Sequence, residues 1–146
     1  MMTSAAISAY GTLLKRETSS GSGTFVTVAE VKSMTGPGMS VDVLDVTTHS
    51  SAAAGAWREK RPSLIDPGEV SFPINLVPAS AGHKALLLDF VTRALVNYKI
   101  VFSDPGLTEW TFNNCFISQF SAKAEIEGVL EADLTLTLSG APTFPA

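Results

Sequence analysis

In several segments of this chain polar and apolar positions alternate with period two. In "EVSFPINL", Val70, Phe72, Ile74 and Leu76 point one way, and Glu69, Ser71, Pro73 and Asn75 the other. A pleated strand with one dry and one wet face has that period. "LEADLTLTLSG" repeats it, with Leu130, Ala132, Leu134, Leu136 and Leu138 set against Glu131, Asp133, Thr135, Thr137 and Ser139. Pro73 lacks an N–H for a ladder, which predicts an edge, a bulge or a locally unpaired position. Further strands are predicted over Ile7–Leu14, Phe25–Val31, Val41–Thr47, Tyr98–Phe102 and "TEWTFNNCFISQF", the last one long or bulged near Asn113 and Asn114. "SAKAEIE" alternates Lys123, Glu125 and Glu127 with Ala122, Ala124 and Ile126. "ETSSGSGT", "TGPG" and "SDPG" read as turns or loop tips. Pro142 and Pro145 keep the last residues out of a ladder.

One segment has helical period. From Ala81 to about Leu95, after a plausible N-cap at Ser80, the residues Leu87, Phe90, Val91, Ala94 and Leu95 recur at spacings of three and four, with Leu86 at the edge. That stripe predicts the buried face of a helix, with Lys84 and Asp89 off it. One helix against many strands predicts an antiparallel β domain with the helix covering one sheet face or one end of a barrel.

The stretch "THSSAAAGAWREKRPSLIDPG", Thr48 to Gly68, breaks the pattern. It has no clear strand period, and it sets Arg58, Glu59, Lys60 and Arg61 beside Trp57, with Leu64 and Ile65 following. Tryptophan and arginine are favoured interface anchors, so this reads as a docking arm. It reads equally as a surface loop whose tryptophan folds back on its own core.

With 146 residues, 45% hydrophobic and 16% charged, the chain suits one domain with a real core and no repeat. Its net charge of −4 argues against a general nucleic-acid binder. The lone Cys115 excludes an intrachain disulfide and is expected to be buried beside Phe112 and Phe116. No apolar run reaches the ~18 residues of a membrane span, and the N-terminus lacks the basic start of a secretory signal. His49 and His83 have no metal-ligand spacing and are expected to face solvent. Glu125, Glu127, Glu131 and Asp133 sit on wet strand faces, which is a solvated acidic surface rather than a catalytic pair with separated pKa values. No phosphate loop, nucleophile motif or cofactor motif is present, and no enzyme is expected.

The order of these motifs resembles the major tail tube proteins of lambda-like siphophages, viruses with long non-contractile tails. The resemblance runs from about Val28 to Pro142. It is carried by "VAEVKSMTGPGMSVDVLDVTTHSS", "DPGEVSFPINLVPASAGHKALLLDF", "NYKIVFSDPGLTEWTFNNCFISQF" and "AEIEGVLEADLTLTLSGAP". It implies a mainly β fold, an antiparallel β-sandwich or half-barrel with one flanking helix. It implies a single tail tube domain over 1–146, with a flexible N-terminal segment of about 1–24 and a long inter-strand loop of about 48–68. Some relatives carry an extra immunoglobulin-like C-terminal domain, so this chain would be the minimal form. Such proteins stack as hexameric rings into a hollow tube that delivers DNA, in a phage or a gene transfer agent. The implied partners are further copies of the chain and the tail tip or initiator, tape-measure and tail terminator proteins. DNA would pass without specific binding, and no membrane is involved. The implied location is a virion tail, assembled in the bacterial cytoplasm. The resemblance tilts the loop toward the docking reading, with Trp57, Arg58, Glu59, Lys60, Arg61, Leu64 and Ile65 as inter-ring contacts. It also makes Glu125, Glu127, Glu131 and Asp133 candidates for the lumen wall, where acids give a polyanion no place to settle. The alternative is a soluble β-rich binding or assembly-chaperone module with an unrelated partner.

Overall fold

The computed structural model describes residues 4–19, 21–49 and 55–145. Among the described residues eight strands and one helix follow in the order β1 (Leu13–Glu17), β2 (Phe25–Thr27), β3 (Ser40–Asp45), β4 (Lys60–Asp66), β5 (Glu69–Asn75), α1 (Ala81–Thr92), β6 (Val96–Val101), β7 (Glu109–Ala124) and β8 (Leu130–Thr137). Six strands form one antiparallel sheet ordered β2-β1-β6-β7-β8-β5. The other two, β3 and β4, form a separate ribbon. The mainly β fold with one flanking helix matches the expectation.

The sheet curls because its two outer strands share one stretch of chain. After β2, Val31 bridges Ile74 and Thr35 bridges Ser71, both on β5. The edges are thereby joined through residues 25–35 into a half-barrel around the core. Joining edges in this way hides their unpaired N–H and C=O groups. Pro73 lies on that joining side: its carbonyl accepts from Lys32 N–H at 2.9 Å. Its missing N–H therefore falls where pairing is irregular, as expected for a strand proline.

The β7 strand is shared between two neighbours. Glu109–Cys115 pairs with β6, and Phe116–Ala124 with β8. The register on β6 shifts between Val96 and Tyr98, opposite Asn113 and Asn114. Asn114 takes the bulge conformation, with φ of 55°, and its N–H donates to the Asn97 side chain at 3.0 Å. The bulge expected there is present.

The core is the set of inward positions read from the alternation. Val70, Phe72, Ile74, Ala132, Leu134 and Leu136 are buried together with Tyr98, Ile100, Phe112 and Cys115. Burial among these groups pushes the Cys115 thiol up to about 12.

Several boundaries differ from the sequence reading. The first strand is Leu13–Glu17, not Ile7–Leu14, because pairing to both β2 and β6 fixes it there. Glu17 therefore leaves the loop and is buried, accepting from the Asn97 side chain and the Gly21 N–H. The second strand ends at Thr27, with Val31 reduced to an isolated bridge. Residues 60–66, read as loop, form β4. The expected alternation through Glu125 and Glu127 stops at Ala124, and both residues lie in the β7–β8 turn. The C-terminal prolines allow one bridge between them, Thr143 to Thr111, and Phe144 stacks edge-on against Trp110.

The largest difference is the rotation of α1. Its buried residues are His83, Leu86 and Asp89. Most of the predicted stripe faces outward instead, with Leu87, Phe90, Val91 and Leu95 exposed, while Ala94 packs against the core and Leu86, at the stripe's edge, is buried. Polar partners set this rotation. Asp89 takes a bidentate pair from Arg16, at 2.6 and 2.7 Å, and Tyr98 Oη donates to it at 3.4 Å. Desolvation, with the neighbouring Asp89 carboxylate, drives the Tyr98 phenol well above its usual range. His83 is 2% exposed, not solvent-facing. Its Nδ1 accepts from Val77 N–H at 3.0 Å, which leaves Nε2–H to donate to the Ala29 carbonyl at 2.9 Å. A buried polar group is tolerated when paired, and the paired His83 and Asp89, with Leu86 between them, take the inner face in place of the apolar stripe.

Candidate assembly surfaces

The first surface is a projecting arm. In β3 and β4 every residue from Ser40 to Asp45 and from Lys60 to Asp66 is exposed. The two strands pair with each other in an antiparallel ladder, from Ser40 with Asp66 to Asp45 with Lys60, with a bulge between Val41 and Val43. Val41, Val43, Leu44, Leu64 and Ile65 thus stand on a ribbon with no second layer among the described residues.

The arm leaves the body through a tight stem. Gly68 has φ of 80°, and a Cβ there would strike the Gly38 carbonyl. Gly36 has φ of 114°, and a Cβ there would strike the Glu69 carbonyl. Both positions combine a left-handed backbone with close chain approach, which only glycine allows. Asp66 Oδ1 accepts from Gly68 N–H at 2.9 Å, closing the "DPG" turn back into the sheet.

The arm carries the predicted cluster. Trp57 is 77% exposed, and Arg58, Glu59, Lys60, Arg61, Leu64 and Ile65 are exposed as well. Trp57 does not fold back on the core. Asp45, held below the usual carboxylate range by hydrogen bonds from Thr47, faces Arg58 and Lys60. Residues 50–54, part of the predicted loop, lie outside the described residues.

The second surface is the acidic end of the β7–β8 hairpin. Asp133 stands on the outward face of β8, opposite Ser121, and Glu131 stands opposite Lys123. Lys32 pairs with Glu131 at 2.7 Å, and Lys123 with Glu125 at 3.3 Å. The Lys32 pair holds the Glu131 carboxyl below its ordinary value. The structure therefore brings the four predicted acids to one end of one hairpin but sets two lysines among them.

The third surface is the outer face of α1, which sequence reasoning assigned to the core. The signal for its rotation was present as the 83–86–89 spacing. Its decisive partner, Arg16, lies 73 residues away, a distance that periodicity does not reach. Among the described residues no group of His, Cys, Asp and Glu is arranged to hold a metal ion. No described helix is long and apolar enough to cross a membrane.

No curated protein matches the chain. The fold is similar to that of the chain in the tail of an empty gene transfer agent particle, refined with helical C6 symmetry. That match has a TM-score of 0.74 at 20% identity, covering 92% of this chain and 96% of the other. A chain of the virion of a native gene transfer agent gives 0.73 at 17% identity, covering 97% and 100%. The SPP1 tail tube gives 0.69 at 11% identity, covering 96% and 80%. Residues 11–145 match the lambda phage tail tube protein (TTP) family, and the chain belongs to that family of structural tube proteins.

Proposed function

We propose that this chain is the repeating subunit of a hollow tail tube, assembled as stacked six-membered rings through which DNA passes. Family membership supplies the class, and the C6 tail of the similar gene transfer agent chain supports the ring number. The observation that carries the assembly reading is the arm. A ribbon that exposes Val41, Val43, Leu44, Trp57, Leu64 and Ile65 leaves a large apolar surface in water, and such surfaces mark interaction sites. Docking on another copy buries it. Trp57 and the Arg58–Arg61 cluster are the anchors, reaching the adjoining ring.

The outward faces of β7 and β8, with Glu131 and Asp133, contribute to the lumen wall, and Glu125 and Glu127 lie at its end. Lys32 and Lys123 dilute that charge, so the wall is weakly acidic rather than strongly repulsive. It offers DNA no run of cations to bind. The role is structural, without catalysis. The tail tip or initiator, tape-measure and terminator proteins meet the tube at its ends and in its lumen, within a virion or gene transfer agent tail.

Electron microscopy of the purified chain tests this directly. Rings or tubes of uniform width are expected. A monomer that persists at every concentration, with tail proteins added, contradicts it and favours a soluble binding module.

A further inference from the structure

The apolar stripe on α1 requires an occupant. Val91 is 67% exposed, and Leu87, Leu88, Phe90 and Leu95 are exposed beside it. At its edge, Phe90, Val91, Arg93, Leu95, Phe116, Ile117 and Ser118 line a groove of about 610 Å³. Among the described residues its only charged lining residue is Arg93, the left-handed residue that ends the helix. The one acid of α1, Asp89, is turned inward onto Arg16. The exposed charged residues of the helix and its C-cap, Lys84 and Arg93, are therefore both positive.

Among the exposed apolar elements of the described residues, the arm and the β7–β8 turn also carry clustered charge that the rim of that groove discriminates. The arm offers Trp57, Leu64 and Ile65 but carries Arg58, Lys60 and Arg61, which meet like charge at the rim. The β7–β8 turn offers Ile126, fully exposed, between the carboxylates of Glu125 and Glu127, with exposed Val129 after them. Its sign is opposite to that of the rim. The Lys123–Glu125 pair is open to solvent and contributes little that docking would lose.

The turn does not reach the groove of its own chain. Phe120 lies against Phe90 with ring centroids 6.5 Å apart, and Ile126 follows Phe120 by six residues. The four residues from Phe120 to Ala124 continue β7, which at strand rise carries the turn on the order of 13 Å past Phe120.

We infer that the groove beside α1 receives the β7–β8 turn of a second copy of this chain, with Ile126 seated against Phe90, Val91 and Leu95, and Arg93 facing the carboxylates of Glu125 and Glu127. This rests on the tube reading and names a second contact within it, separate from the arm. The contact is head-to-tail, since knob and groove are different patches, and such contacts build rings or filaments rather than closed pairs.

Cysteine cross-linking of assembled full-length protein tests it. The double variant Val91→Cys with Ile126→Cys, oxidised after assembly, gives a ladder of disulfide-linked oligomers on a non-reducing gel, while each single variant stops at dimers or below. A disulfide needs Cα atoms within about 7 Å, so the ladder reports seating. Cys115 is buried and its thiol is raised, so it stays out of the reaction. Tubes that form without a ladder overturn the inference and leave the tube reading intact. A ladder from Trp57→Cys with Val91→Cys instead assigns the groove to the arm and also overturns it. Failure of the unmodified chain to assemble sinks the tube reading, and this inference with it. If the double cysteine variant does not assemble, charge exchange decides. Arg93→Glu raises the concentration needed for assembly at least tenfold with unchanged circular dichroism, and adding Glu125→Arg and Glu127→Arg restores it. Unchanged assembly in Arg93→Glu, or no restoration, overturns the inference.

Discussion

The half-barrel and the arm are both antiparallel β structure, yet they treat apolar side chains in opposite ways. In the body, β5 and β8 pair in register from Glu69–Thr137 to Asn75–Glu131, and their inward residues are closed over by the rest of the sheet and by α1. In the arm, β3 and β4 pair across a bulge, and none of the described residues lies over either face. A two-stranded ribbon is marginal alone in water. The body therefore carries the fold's stability, and the arm depends on what it meets.

This difference predicts opposite outcomes for truncations of similar size. Phe72→Ala removes a side chain with no exposure and is expected to cost about 3–5 kcal/mol, read by chemical denaturation. Asp89→Ala leaves Arg16 without its partner beside the core. It is expected to cost a comparable 3–5 kcal/mol, since stranding one member of a buried pair exposes its full desolvation penalty. Gly68→Ala strains the stem where the arm joins the sheet. About 1–3 kcal/mol is expected there, with a poorly placed arm and reduced assembly at permissive temperature. Trp57→Ala together with Ile65→Ala is expected to change monomer stability by less than about 0.5 kcal/mol while weakening assembly measured by sedimentation. If that variant unfolds, the arm belongs to the body and the comparison fails. The smallest effect concerns Cys115: its buried, raised thiol is expected to resist a disulfide reagent at pH 8 until the chain is unfolded. Rapid native reaction would mean that the barrel opens readily.

The body was the more legible half in the sequence. Alternation along Glu69–Asn75 and Leu130–Leu138 identified inward residues, and the asparagine pair marked the β7 bulge. Pairing partners are non-local, so closure of the sheet through residues 25–35 was not visible. Period alone misassigned α1, because an apolar stripe predicts an apolar partner without saying whether that partner is the same chain. The buried face was set by Arg16, Tyr98, Val77 and Ala29 acting on Asp89 and His83, contacts that a one-dimensional pattern does not contain. The arm was legible as an anomaly. Its composition left docking and an ordinary surface loop level until the family resemblance tilted the reading, while β4 was hidden because Arg61, Pro62 and Ser63 dilute its alternation across a bulge.

A subunit-resolved cryo-electron microscopy map of the assembled protein tests the central claim most directly. The account predicts a tube in which Ser40–Asp66 of each subunit lies against a different copy, with Trp57 and Ile65 buried in that contact. A tube whose arms remain in solvent, or fold onto their own subunit, would contradict it.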